Sequence, residues 1–363
     1  MNINVKTDKK ISNHCKVIRD MKIHDPSNNI IKLDNNENPL GMSHKTLMAA
    51  IEATLKNSSR YPDNKALHLK EILSETLKIN VGQIIIGNGS SEILSIIVRT
   101  FVNEGDEVII PEYSFIAYEM LAQARGAQVV KVPPISWQCN LEGILEKINA
   151  KTKIIMLANP NNPTGTYVNF SDLTDFIKKI PCTVITFIDE AYFEYVDVQN
   201  HKSALTLINK HSNVIVVRSF SKIYGLAGLR IGYAVANADL ITLFDRFRQP
   251  FNVNAVAMAA AATALTDAEH LNNSRVLNKQ VLGKLKNGIN NLGFNWIPSE
   301  ANFLTINFGQ KSKLIYENLL KKGIFVRALD DYQMQEYLRV TTGLKQDNNI
   351  FLEMLSEIVK LDL

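Results

Sequence analysis

The feature that most restricts this chain is a series of short Val/Ile-rich segments through its middle, separated by stretches with helical patterning. Ile84–Ile86, Glu107–Ile110, Gln128–Val132, Lys153–Leu157, Val184–Ile188 and Val214–Val217 are bounded by Gly, Pro, Asn or charged residues, as strands are. Between two of them, Leu173, Phe176, Ile177 and Ile180 follow the i, i+3, i+4, i+7 rule, and Ser171 is placed to cap that helix. Apolar strands alternating with amphipathic helices predict an α/β fold whose sheet is largely parallel and covered on both faces.

After about residue 250 the pattern changes. Helical stretches over Ala255–Leu265 and Leu277–Leu292 precede Phe303–Ile306, a helix from Ser312 to Lys322 stopped by Gly323, then Ile324–Val326, Leu338–Val340 and a final helix. This predicts a smaller α+β lobe. The expected division is an N-terminal segment over 1–40 that joins the small lobe, a large domain over 41–255 and a small domain over 256–363. A chain of 363 residues is too long for one simple core and fits two unequal lobes.

Composition removes several function classes. The formal charge is +4, with acids and bases interleaved, so no concentrated basic surface points to nucleic acid. Cys15, Cys139 and Cys182 are far apart and odd in number, and the seven histidines are scattered, which argues against a disulfide framework and against a metal site. The start, MNINVKTDKK, lacks the apolar core of a signal peptide, and no apolar run reaches the ~20 residues that span a bilayer. A cytoplasmic protein is expected, with no membrane partner. The Ala-rich stretch Ala255–Leu265 reads as a buried helix packed closely on its neighbours.

Chemistry concentrates at the ends of the strands. Ser219-Phe-Ser-Lys222-Ile-Tyr-Gly-Leu-Ala-Gly-Leu-Arg230 follows the strand Val214–Val217, where open α/β sheets place their ligands. Its serines and Arg230 suit a phosphate. An isolated Ser-Lys pair is usually an exposed loop, but that accounts poorly for the whole cluster. Asp189 terminates the strand Val184–Ile188 and is followed by Tyr192. A strand-end Asp is more often a helix cap or an ion pair, yet a buried carboxylate needs a partner, and a pyridinium N–H is one that also turns the ring into an electron sink. Asn159-Pro-Asn-Asn162-Pro-Thr-Gly165 is by composition a turn. Its prolines would also stiffen the loop and aim the Asn162 amide, with Tyr192, at a phenolate oxygen. Gly87-Asn-Gly89-Ser90-Ser91-Glu92 opens an amphipathic helix whose first amides can bind an anion. Glu92 in place of the last glycine, and the lack of a following Gly-Lys-Ser/Thr, exclude a dinucleotide fingerprint and a P-loop.

Taken in order, these four segments resemble the class I/II aminotransferases, and within them the histidinol-phosphate aminotransferase branch. Leu33-Asp-Asn-Asn-Glu-Asn-Pro-Leu-Gly41, Arg60-Tyr-Pro-Asp63, Pro298-Ser-Glu-Ala-Asn-Phe303, Val326-Arg327 and Leu338-Arg-Val-Thr-Thr-Gly343 extend the resemblance over nearly the whole chain from about residue 30. It implies a PLP-dependent transferase of the aspartate-aminotransferase fold (fold type I), with pyridoxal 5'-phosphate (PLP) as cofactor. It implies that Lys222 binds the cofactor aldehyde and later moves a proton, that Asp189 pairs with the ring nitrogen, and that Asn162 and Tyr192 hold the ring oxygen. The phosphate would rest on Ser90, Ser91, Ser219 and Arg230, with Tyr113 stacked on the ring. Tyr61 resembles a residue that reaches the neighbouring subunit's phosphate, which implies a homodimer with shared sites. Arg339 matches the arginine that forks a substrate carboxylate; Asn302 lies in a segment lining the same site, and Arg327 is a second candidate for substrate. The implied reaction is ping-pong amino transfer with glutamate and 2-oxoglutarate, and histidinol phosphate as the leading partner. An aromatic or another phosphorylated-ketone aminotransferase and a PLP-dependent decarboxylase of a phosphorylated amino acid remain alternatives, as does a PLP-binding regulatory protein. One departure stands out: Ile11–Ser27, with Arg19, replaces a longer N-terminal segment bearing a Tyr-x-Pro-Gly motif.

Overall fold

A computed structural model describes residues 30–361, so Ile11–Ser27 and Arg19 lie outside the described residues. The strands are β1 (Ile31–Leu33), β2 (Ile84–Gly87), β3 (Glu107–Pro111), β4 (Gln128–Val132), β5 (Thr152–Ala158), β6 (Ile185–Asp189), β7 (Val214–Ser219), β8 (Gly232–Val235), β9 (Asn295–Ile297), β10 (Phe303–Asn307), β11 (Ile324–Ala328) and β12 (Tyr337–Thr341). Seven form the large sheet in the order β2-β8-β7-β6-β5-β3-β4. Only β8 runs against its neighbours, so the sheet is mixed but mostly parallel. Alternate residues divide between its faces. Ile109, Ile155, Leu157 and Ile188 join one apolar cluster, and Val108, Ile110, Ile154 and Met156 join the other. Helices cover both, which is why these strands are apolar throughout rather than alternating.

The second sheet runs β1-β11-β12-β10-β9 and is antiparallel except for the β1–β11 pair. Its core of Leu33, Leu285, Leu304, Val326, Val340 and Phe351 is separate from the large-sheet clusters. The start of the described chain therefore adds the edge strand to a sheet built otherwise from its last third.

Local differences from the sequence reading have physical causes. The helix expected from Ser171 begins at Phe170 with Asn169 as N-cap, and the Ser171 hydroxyl turns to Asp172 at 3.2 Å. The helix expected from Leu277 runs from Ala268 to Asn291, its start fixed by the Asp267 side chain accepting from the His270 amide. The polar first turns, His270 to Arg275, hide that start in the sequence. The Ala-rich helix Ala255–Leu265 is buried as expected, with Ala257, Ala260, Ala261 and Ala264 in one apolar cluster with residues of the large sheet. Its small side chains let helix α1 (His44–Asn57) lie close through Ala50 and Ala53. The opposite face of α1 leaves Leu47, Met48, Ile51 and Leu55 exposed. No described helix is long and apolar enough to cross a membrane.

Candidate active site

The ends of β5, β6 and β7 fall in register, with Ala158 opposite Asp189 and Asp189 opposite Val217. Parallel pairing thus brings the Asn159–Gly165 loop, Asp189 and the segment from Ser219 to one edge of the sheet. The Asp189 carboxylate accepts from the Tyr118 hydroxyl at 2.9 Å and from the Ala191 amide at 3.0 Å. Burial pushes its carboxyl up to about 6, and the two hydrogen bonds offset only part of that. Among the described residues no cation forms an ion pair with it. The charge of Lys222 lowers it slightly, without direct contact.

Lys222 is half-buried and donates to the Asn35 carbonyl at 2.9 Å, with its nitrogen 5.7 Å from the centre of the Tyr192 ring. Burial lowers its ammonium to about 8, helped by the positive charges of Arg339 and Arg230 and opposed by Glu37 and Asp189. Tyr192 is buried, and its oxygen accepts from the Asn36 amide at 2.9 Å. Burial raises its hydroxyl above the usual range, while Arg339 and the Asn36 bond pull the other way.

An anion cradle lies beside Lys222. The helix Ser90–Phe101 starts at Gly89, whose φ of 75° suits glycine and whose position brings no side-chain cap to the first amides. A Cβ at Gly89 would sit 2.5 Å from an Nη of Arg230, so the guanidinium occupies the space that the glycine leaves. Arg230 donates to the Ser221 hydroxyl at 3.4 Å and to the Ala227 carbonyl at 3.1 Å, and Ser219 accepts from the Ser221 amide at 3.1 Å. Free helix-start amides, a guanidinium and two hydroxyls around one point match a phosphate. Ser90 is half-buried at the mouth of this cradle, and Ser91 is exposed.

Across the cleft, Arg339 is buried and donates to the Asn162 side-chain oxygen and, at 2.6 Å, to the Asp34 carbonyl. This fixes the Asn162 amide with its NH2 away from Arg339. The Nε of Arg339 is buried with no partner, as is the side-chain oxygen of Asn302. Burial lowers the Arg339 guanidinium. Arg327 stands directly opposite Arg339 on the β11–β12 pair and bonds Asp331 at 2.9 Å. The Asn302 nitrogen is taken up by the Asn36 and Glu37 carbonyls at 3.0 and 3.4 Å. Tyr113 is half-buried, held through its carbonyl by Asn161 at 2.6 Å, with its ring 5.4 Å from that of Trp137. Tyr61 lies apart, 82% exposed and stacked on Phe251 at 4.6 Å.

Three residues that shape the site were not singled out in the sequence. Tyr118 is fully buried under Asp189. Asn252 bonds Glu92 at 2.6 Å, and Glu92 in turn holds the Asn88 amide at 2.6 Å, bracing the loop before the cradle. Asn36 meets Tyr192, Thr341 and Asn302 at once. The density of Asp and Asn over Asp34–Asn38 was the available signal for a polar strap.

Known proteins resemble this chain in sequence and fold. The model of the family "Aminotransferase class I and II" matches residues 28–355. The chain is 41% identical over 333 residues to "Histidinol-phosphate aminotransferase 2" of Pasteurella multocida, covering 92% of this chain and 91% of that one. It is 41% identical to "Histidinol-phosphate aminotransferase 1" of Idiomarina loihiensis, over 91% of this chain and 89% of that one. Among solved structures, the Sinorhizobium meliloti histidinol-phosphate aminotransferase in complex with pyridoxal-5'-phosphate superimposes with a TM-score of 0.87 at 26% identity, covering 92% of each chain. The Thermus thermophilus aspartate aminotransferase with maleate, at 20% identity and TM-score 0.84 over 95% of each chain, has the same fold. A family match running from residue 28 to 355 takes in every strand that frames this cleft, and the chain belongs to the class I and II aminotransferases.

Proposed function

We propose that this enzyme transfers an amino group between histidinol phosphate and 2-oxoglutarate, with pyridoxal phosphate held beside Lys222. The observation that carries the reading is the pair of guanidiniums on β11 and β12. Arg339 and Arg327 face each other in register, and the Nε of Arg339 is buried without a partner. One pair of arginines suits both partners: the two carboxylates of glutamate, or the phosphate of histidinol phosphate. The names of the 41%-identical relatives agree with this choice.

When bound, the cofactor supplies an aldehyde for the substrate amine and a protonated ring that takes up negative charge. The residues present fit it: an uncapped helix start with Arg230 for the phosphate, and a buried Asp189 without a cation for the ring nitrogen. Asn162, whose NH2 is turned from Arg339, and Tyr192 serve the ring oxygen. Lys222 then works as the base. Its ammonium, lowered to about 8, leaves a sizeable neutral fraction just above neutral pH, and that neutral Nζ can take the substrate's α-proton and hold it for return. Arg339 orients the substrate carboxylate while this happens.

The working unit of this reading is a cytoplasmic homodimer. The exposed pair Tyr61 and Phe251, with Leu47, Met48 and Leu55 on α1, offers the apolar face that a second copy would cover. Tyr61 would there reach the partner's phosphate site. The large lobe extends to about Leu265, because Ala255–Leu265 packs in its core.

The test is a spectral titration of the cofactor-loaded protein. Glutamate is expected to bleach the visible absorbance, and imidazole-acetol phosphate to restore it. Bleaching without restoration would keep amino transfer and discard histidinol phosphate; release of carbon dioxide would replace transfer by decarboxylation.

A further inference from the structure

Asn36 is buried, 1% exposed, and sits in the left-handed region with φ of 56°. Its hydrogen bonds fix the direction of a proton. The Thr341 hydroxyl oxygen accepts from the Asn36 amide N–H at 3.0 Å and gives its own hydrogen to the Asn36 side-chain oxygen at 3.1 Å. That places the side-chain NH2 of Asn36 on the other side, where it donates to the Tyr192 oxygen at 2.9 Å. The Asn36 carbonyl is held in turn by Asn302 at 3.0 Å, so the residue cannot swing as a unit. Tyr192 thus receives a hydrogen bond along one direction of its oxygen. Among the described residues no acceptor takes the Tyr192 hydrogen itself.

We propose that Asn36 is a positioning residue that keeps Tyr192 a donor, by occupying its oxygen from behind and turning the phenolic hydrogen into the cofactor cleft. The proposal rests on the reading that Tyr192 serves the cofactor's ring oxygen. A hydroxyl that accepts from an amide is also a stronger donor on its other side, because hydrogen bonds in a chain polarise one another. Thr341, on the strand that carries Arg339, completes the chain Thr341–Asn36–Tyr192. The element that binds the substrate carboxylate is thereby linked to the element that donates to the ring.

The charged groups facing Tyr192 are Lys222 from the segment after β7, Arg339 from β12 and Asp189 at the end of β6. None is altered by substitution at 36. A donor to the ring oxygen favours its anionic form, so misorienting that donor raises the pH at which the Lys222-bound cofactor loses its proton.

The experiment is a pH titration of the visible absorbance of the loaded enzyme, in wild type, Asn36→Gly, Tyr192→Phe and the double variant. Glycine accepts the positive φ and removes only the side chain. Asn36→Gly is expected to raise the midpoint by roughly half to one pH unit, the size of one neutral hydrogen bond. The double variant is expected to match Tyr192→Phe alone, because Asn36 acts through Tyr192. If Tyr192→Phe moves the midpoint and Asn36→Gly does not, the proposal falls while the reading of Tyr192 stands. If Tyr192→Phe leaves the midpoint in place, that reading falls and takes the proposal with it. Additive shifts in the double variant would also overturn it. Should Asn36→Gly fail to fold, Thr341→Val frees the Asn36 side chain to turn, with the same upward shift expected and no shift overturning the proposal.

Discussion

Lys222 can be measured before any substrate is present. Burial brings its ammonium from the ordinary 10.5 down to about 8, with Arg339 the next contributor. At pH 7.5 about a quarter of the cofactor-free molecules then carry a neutral amine, against about one in a thousand at the ordinary value. Only the neutral amine attacks an aldehyde. The initial rate of pyridoxal phosphate capture, followed in stopped flow by visible absorbance, is expected to rise about tenfold per pH unit below the midpoint and to level off above about 8. Arg339→Leu removes a nearby positive charge, so its midpoint is expected to lie higher and capture at pH 7.5 to be slower. Lys222→Ala is the control that captures nothing. A rate that keeps climbing tenfold per unit through pH 9.5 would refute the burial of this amine as its cause. An Arg339→Leu midpoint equal to that of wild type would remove Arg339 from the causes of the lowered value.

Two further outcomes follow from the same site. Gly89→Ala places a methyl 2.5 Å from Arg230 in a backbone region with φ 75° and ψ 166° that suits glycine, at a cost of about 1–3 kcal/mol in stability. Displacing a charge-assisted contact worth about 1.5–3 kcal/mol is expected to weaken cofactor binding roughly 10- to 100-fold by equilibrium titration; an unchanged Kd would move the phosphate elsewhere. For Asp189, the folded value of about 6 lies above the ordinary 3.8, so the folded apoprotein holds that proton more tightly than the unfolded chain. The associated stability is present below pH 3.8 and lost as pH rises through about 6. Asp189→Asn is therefore expected to stabilise the apoprotein at pH 7.5 by on the order of 3 kcal/mol, read as a higher Tm, with the gain fading below pH 3.8, and to lower the Tm of the loaded enzyme. A lower Tm of the apoprotein at pH 7.5 would contradict an uncompensated buried carboxylate.

Much of the fold was legible because fully buried parallel strands leave continuous apolar runs that need no knowledge of their partners. Ile84–Ile86 and Val214–Val217 fall inside the observed β2 and β7. Lys222, Asp189 and Arg230 were legible because each follows such a run at the sheet edge. What escaped depends on long-range contact. Tyr118 is an ordinary helix residue until the β6 end is placed against it, and Asn36 is one of many turn-forming residues until β12 brings Thr341. The start of the helix at Ala268 was missed for another reason: its first turns are polar and carry no apolar period.

The strap from Asp34 to Asn38 also bears on how the chain matures. Its bonds to Thr341 and Arg339 join residues 305 positions apart, and its bond to Asn302 spans 266. Loop closure over such a distance costs only about 2 kcal/mol more than over a loop a tenth as long, so the native state bears it easily. The order of events is less free. On the ribosome, the residues that seat Lys222 and hold Tyr192 emerge early and wait for almost the whole chain before their partners exist.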